Sequence, residues 1–295
     1  MATPLLLIPS DVLNPKRPDE HFAAEWQAAR EAGLAITLVD HDALARPGGA
    51  AAGVRGVAGE EPHLAVYRGW MLTADRYDDL SRALEPRNVK LVTTPAAFAR
   101  AHELPGWYAA IADQTPRSVW TVGAERGSFE VAARELGAGP AVLRDYTKSM
   151  KHYWHEAALI PDVADGDAAW AVASRFLGLR DDAFVGGFVL REFEDLESAE
   201  VRTWWAHGVC VASGAHPDTP NQDRAGEAGV RVAIEAVTSL VAALALPFVT
   251  VDLARRSDGV WRVMEVGDAQ VSDRPASMAA ETMIDVVRGV VAGAR

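Results

Sequence analysis

A chain of 295 residues with 49% apolar and 24% charged side chains has a globular composition and enough length for two domains. Its net charge of −12 argues against general binding to nucleic acid or to anionic membranes. The single cysteine, Cys210, excludes an internal disulfide and a multi-cysteine zinc site, and it fits a reducing compartment. The apolar run near the start lacks a basic flank. The longest apolar stretch, 239–251, is broken by Pro247 and falls short of the ~20 residues a membrane helix needs. A cytoplasmic location with no membrane partner is the expectation.

In chain order, residues 4–9 form a buried strand ended by Ser10-Asp11, and 19–33 a helix capped by Asp19 and closed by Gly33. Strands follow at 34–39 and 64–71, with a Gly/Ala-rich flexible loop at 46–59 between them. A helix at 74–84 and a strand at 88–93 complete an alternation that implies a parallel sheet with crossovers. Ligands of such sheets sit at the carboxyl ends of the strands, which places Ser10, Asp11, Arg68 and Trp70 at a pocket mouth. No G-x-G-x-x-G and no phosphate-binding P-loop occurs, so a nicotinamide-dependent reading lacks its fingerprint.

After a helical segment through Trp107-Tyr108 and a junction at 114–117, a helix at 128–136 ends at Gly137. Residues 141–146 read as a strand that opens into a loop carrying Lys148, Lys151, His152 and His155. Arg144, Lys148 and Lys151 concentrate positive charge in an acidic protein. Polyphosphate suits such a set, and a solvated basic loop is the alternative. A helix at 167–177, strands at 184–194, 200–207 and 209–213, a loop at 217–224, a helix at 227–244 and a final helix at about 276–291 complete the chain. This second part is α+β.

Residues 248–268 read as a hairpin whose turn is Asp258-Gly259, the signature of a two-residue type I′ reversal. Ser257 then pairs with Val260, and Asp252 falls opposite Glu265. Like charges facing across strands are destabilising. Either a divalent cation bridges them, Mg²⁺ being the natural choice, or they form a solvent-facing acidic pair. Gly267 lets Asp268 swing in as a third oxygen ligand.

The order of three short motifs, TPRS at 115–118, DYTKSMKH at 145–152 and REF at 191–193, resembles the ATP-grasp superfamily. The closest likeness is to a clade with a D-Y-x-K-S-x-K-H loop and an R-E-F hinge. The resemblance implies an N-terminal parallel-sheet α/β domain at 1–118, then an ATP-grasp fold of two α+β subdomains, a lid at 119–190 and a core at 191–295 with the metal hairpin. It implies ATP and Mg²⁺ as cofactors. Arg144, Lys148 and Lys151 match phosphate-binding positions, Glu192 and Phe193 the adenine hinge, Glu200 the ribose acid and Arg202 a ligand of phosphate or intermediate. Asp252 and Glu265 match the metal carboxylates. The sequence departs from the superfamily pattern in two places: the glycine-rich lid is replaced by the Lys/His/Trp loop, and Gly267 stands where an asparagine is usual.

The implied activity is ADP-forming ligation of a carboxylate to an amine through an acyl phosphate, with Lys148, Lys151 and Arg202 as catalytic groups. Arg68, His152 and Gln270 are the candidate substrate contacts. The acid is a small molecule or a peptide, its acceptor a small molecule, a peptide or a protein terminus, and an Ala-rich helical surface is compatible with a homodimer. The alternative from another class is a protein of this fold that binds nucleotide without ligating.

Overall fold

The computed structural model describes residues 3–59, 61–217, 227–275 and 277–294. Two compact units partition the chain: Met1–Ala101, Ala199–Asp252 and Val266–Arg295 form the first, and His102–Ser198 with Leu253–Glu265 the second. The class is α/β plus α+β: one parallel sheet with helices, and antiparallel pairing beyond it.

The first unit begins with β1 (Thr3–Pro9), α1 (Ala23–Glu31), β2 (Ala35–Val39), α2 (His41–Ala45), α3 (Ala50–Gly53), β3 (His63–Tyr67), α4 (Ala74–Leu84), β4 (Val89–Leu91) and α5 (Pro95–His102). The strands stand in the order β2-β1-β3-β4, all parallel. Leu5 to Ile8 are all buried, as a central strand covered on both faces requires. Thr73 and Asp40 cap α4 and α2 by accepting the amides of Arg76 and Ala43. The stretch expected as a flexible loop at 46–59 contains α3, whose Ala50 and Val54 join the core beside Leu44. The strand expected to run through Arg68 ends at Tyr67.

The second unit contains α6 (Leu104–Ile111), β5 (Ser118–Trp120), α7 (Arg126–Leu136), β6 (Ala141–Asp145), β7 (Leu159–Ile160), α8 (Gly166–Arg180) and β8 (Phe188–Glu192). Its sheet has the order β5-β8-β6-β7, antiparallel throughout, over a core of Phe129, Leu143, Phe176 and Phe188. The strand expected from Phe184 starts only at Phe188, because Gly186 at φ 71° turns the chain first.

The chain continues with β9 (Leu196–Ala206), β10 (Val209–Ala215), α9 (Glu227–Ala243), β11 (Phe248–Arg256), β12 (Trp261–Asp268) and α10 (Ala280–Gly293). The strands stand in the order β10-β9-β11-β12, and α10 lies against α1. The expected loop at 217–224 lies, beyond Pro217, outside the described residues. His207 and Gly208, at φ 48° and 79°, make a two-residue reversal between β9 and β10.

The β11–β12 reversal differs from expectation. Gly259 N–H donates to Arg256 O at 2.7 Å, Gly259 takes φ 89°, and Arg256 N–H donates to Val260 O at 2.8 Å. The loop therefore has three residues and Arg256, not Ser257, pairs with Val260. Asp258 stays out of the left-handed region because its carboxylate accepts Val260 N–H and pairs with Arg256. The premise that set Asp252 opposite Glu265 no longer follows from the turn. No described helix is long and apolar enough to cross a membrane.

Candidate functional site

In the second unit the basic strand and loop are organised by a carboxylate that sequence reasoning left out. Asp145 is fully buried at the end of β6. One oxygen accepts the amides of Thr147 and Lys148, each at 2.7 Å, and the Thr147 hydroxyl. The other accepts Arg180 Nε at 2.8 Å. A buried charge persists only with such partners. The result is a tight bend at Asp145–Lys148 that holds Arg144 beside Lys148.

Arg144, itself buried, donates to the Thr147 carbonyl at 2.7 Å and stands 3.7 Å from Glu265 Oε2. Lys148 Nζ stands 3.8 Å from Glu265 Oε1. Both separations exceed a hydrogen bond but lie within ion-pair range, so the two cations meet at one carboxylate. Lys151 and His152 are exposed on a 3₁₀ turn at Lys151–Tyr153.

Motif residues Thr115 and Arg191 hold the strand that carries Glu265. Arg191 is buried and donates to the carbonyls of Met264 (2.6 Å) and Val263 (3.0 Å), and Thr115 Oγ1 donates to Val263 O at 2.7 Å. Burial, then repulsion from Arg144, pushes the Arg191 guanidinium down to about 9, still cationic at neutral pH. Glu192 and Phe193 end β8 with exposed side chains. Their amides donate to Arg117 O (2.8 Å) and Pro140 O (3.0 Å), so neither N–H is open to adenine. The backbone left at the expected hinge is the carbonyl side, and the amide of Phe193 serves the sheet edge.

In the first unit β9 and β10 bring Glu200, Arg202 and His216 to Asp252. Arg202 grips Asp252 with two donors at 2.8 and 2.9 Å and lies 2.6 Å from His216 Nε2. Burial works against the Asp252 charge, but the Arg202 and His216 contacts outweigh it and hold the carboxyl below its ordinary range. Glu200, His216 and Asp252 each place one ligand atom within 4.8 Å of the others, the one such group among the described residues. His216 escaped the sequence reading. The β9–β10 ladder shifts register between Cys210 and Ala212, and this irregularity brings His216 N–H to Glu200 O at 3.0 Å.

Hard carboxylate oxygens suit Mg²⁺, and Asp252 and Glu265 fit that donor type. The Arg202 guanidinium now neutralises Asp252, so a cation there requires Arg202 to give way. Asp268 does not fit. It is fully buried, its Oδ1 accepts Gln270 N–H at 2.8 Å as the cap of a 3₁₀ turn, and burial pushes its carboxyl up to about 7. The expected third oxygen ligand thus turns inward.

Arg68 and Gln270 are likewise corrected as substrate contacts, because both are fully buried. Arg68 pairs with both oxygens of Glu25 at 2.8 Å and donates to the carbonyls of Ala269, Gln270 and Ser272. Gln270 accepts Tyr67 N–H and donates to Tyr77 Oη, each at 2.9 Å. Ser10, Asp11 and Trp70, the other residues expected at the sheet's carboxyl end, do line a pocket there.

Residues 135–287 match the family model of the ATP-grasp domain, R-two-K clade family 3. No protein of curated function matches the sequence. Among solved structures, D-cycloserine synthetase DcsG is 18% identical with a TM-score of 0.62, the match covering 99% of this chain and 100% of that one. D-alanine–D-alanine ligase from Bacillus anthracis is 11% identical with a TM-score of 0.63, covering 99% and 98%. ATP-grasp ligase PsnB, complexed with minimal precursor, Mg and ADP, is 13% identical with a TM-score of 0.54, covering 98% of each chain.

Proposed function

Because the chain belongs to the ATP-grasp domain, R-two-K clade family 3, we propose that it is an ADP-forming, Mg²⁺- and ATP-dependent ligase joining a carboxylate to an amine. The observation that carries this reading is the grouping of Arg144 and Lys148 around Glu265, at 3.7 and 3.8 Å. Two cations meeting at a carboxylate suit the oxygens of a nucleotide's terminal phosphates together with a hard cation. The names of the similar structures, two ligases and a synthetase, agree with a ligase.

In this reading the γ-phosphoryl group passes to a carboxylate oxygen of the acid, releasing ADP. The amine nitrogen then attacks the acyl carbon, the C–N bond forms, phosphate leaves and the nitrogen loses a proton. Little covalent chemistry falls to side chains; positioning and charge stabilisation dominate. Arg144 and Lys148 hold phosphoryl oxygens, and Lys151 belongs to the same exposed loop. Asp252 and Glu265 are the carboxylates for Mg²⁺, which when bound supplies charge neutralisation at the transferring group. Arg202, once released from Asp252, is the cation for the acyl phosphate, Glu200 the acid for the ribose hydroxyls, and His152 a substrate contact. Adenine pairs at the hinge through the Glu192 carbonyl, beside the exposed Phe193 ring. The division that goes with this reading is an N-terminal domain at 1–118, a lid at 119–190 and a core at 191–295.

The test is ADP release by purified protein with Mg-ATP against panels of carboxylic acids and amines. Release that requires one acid and one amine together supports the reading. Mg-ATP binding without turnover on any pair would instead favour a nucleotide-binding protein, the alternative that the Arg202–Asp252 ion pair favours.

A further inference from the structure

The buried carboxylate of Asp252, on β11, has its charge answered by the neighbouring strand β9. Arg202 donates from Nε to Oδ1 at 2.8 Å and from Nη2 to Oδ2 at 2.9 Å. The same Nη2 lies 2.6 Å from His216 Nε2, which stands 3.4 Å from Oδ2. Both carboxylate oxygens therefore face one planar fork, the geometry in which a guanidinium holds a carboxylate best.

A second observation marks the same spot as a place for a cation. Glu200, His216 and Asp252 each bring a ligand atom within 4.8 Å of the others. Convergence of two carboxylates and an imidazole is what a divalent ion asks of a protein. Arg202 reaches two of those three residues, so its guanidinium and a metal ion compete for one position.

The competition follows from burial. Burial alone would drive Asp252 towards its neutral form, and the contacts with Arg202 and His216 keep it charged. A guanidinium is weakly hydrated and gives up little water to enter such a place, whereas Mg²⁺ dehydrates reluctantly. The two cannot share the carboxylate at low cost. A divalent ion bound at about 2 Å from either oxygen would stand within about 5 Å of the guanidinium, with little water between them to screen the repulsion.

We propose that Arg202 is the resident counter-cation of Asp252 and that a divalent metal reaches this carboxylate only by displacing it, so that metal loading frees Arg202 for the anionic reactant. The proposal rests on the ligase reading above and adds an order to it: the reactant meets Arg202 after the metal has taken Asp252. By linkage, metal and anionic reactant then favour each other's binding.

Mn²⁺ is the probe, titrated into the nucleotide-free full chain while the paramagnetic resonance signal of the free ion is followed. Arg202→Lys is the variant, because lysine keeps a positive charge beside the buried Asp252 and so preserves the fold, yet lacks the fork. The expected result is Mn²⁺ binding about tenfold tighter in Arg202→Lys than in wild type, with the gain lost when Asp252→Asn is added. A purely structural Arg202 would not tighten metal binding when weakened. Equal or weaker binding in Arg202→Lys, no detectable binding in either protein, or a gain that survives Asp252→Asn overturns the proposal. ADP release on the same samples separates the two readings. Tighter Mn²⁺ binding in a protein that forms no ADP with any acid leaves the exchange standing and removes the ligase. Acid-dependent ADP release by wild type, with Mn²⁺ binding unaltered in Arg202→Lys, removes the exchange alone.

Discussion

Arg68 commits all three guanidinium nitrogens inside the first unit, to Glu25 and to three carbonyls some 200 residues along the chain. An Arg-Gly-Trp cluster at a strand end carries no trace of those partners, which is why it reads as a substrate contact in sequence. Its burial yields a first prediction: Glu25→Ala strands a buried cation and lowers unfolding free energy by about 3–5 kcal/mol, read by chemical denaturation. Asp268 yields a second. Its folded pKa of about 7 lies above the ordinary 3.8, so below about pH 4 both states hold the proton. As pH rises from there towards 7 the unfolded chain releases it first, and stability falls by ~1.4 kcal/mol per unit. Glu25 and Asp252, held below their ordinary range, act oppositely and lose their contribution as pH falls. The difference between wild type and Asp268→Asn isolates the Asp268 limb, and the variant's profile flattens between about pH 4 and 7. Under the proposed ligase function, in which Glu265 supplies charge at the phosphoryl site, Glu265→Gln should keep the fold and lose about a hundredfold or more in turnover.

The elements legible in sequence are those written by local chemistry: the buried run of β1, the caps of α2 and α4, and the strand that ends in Arg144-Asp145. Hairpin registers were not. Asp258-Gly259 carries the type I′ signature, yet the Asp258 carboxylate binds Val260 N–H and Arg256 and draws the loop into three residues. The two-residue reversal forms at His207-Gly208, where both residues have positive φ. Beyond it the register shift at Cys210–Ala212 sets His216 beside Glu200, and no local pattern announces such a shift. Gly208 is consequently sensitive: at φ 79° a Cβ would meet Ala242 Cα at 2.8 Å. Gly208→Ala should cost about 1–3 kcal/mol, measured as a lowered denaturation midpoint at unchanged slope.

For the whole molecule, alternating strands and helices gave away the parallel sheet, and the order of TPRS, DYTKSMKH and REF pointed to the ATP-grasp family that the match at 135–287 establishes. Some motif residues serve as scaffold: Thr115 and Arg191 hold the Val263–Met264 strand, and Asp145 shapes the loop for Lys148. Motif order reports a shared fold, while the division between scaffold and chemistry becomes visible only once long-range partners are known. The central claim is that the protein makes an acyl phosphate from ATP. Positional isotope exchange measures it most directly: ATP labelled at the β,γ-bridging oxygen is incubated with Mg²⁺ and each carboxylic acid of a panel, without amine. Migration of the label to non-bridging positions with one acid, abolished by Glu265→Gln, is the predicted result; ATP that binds but keeps its label with every acid would contradict it.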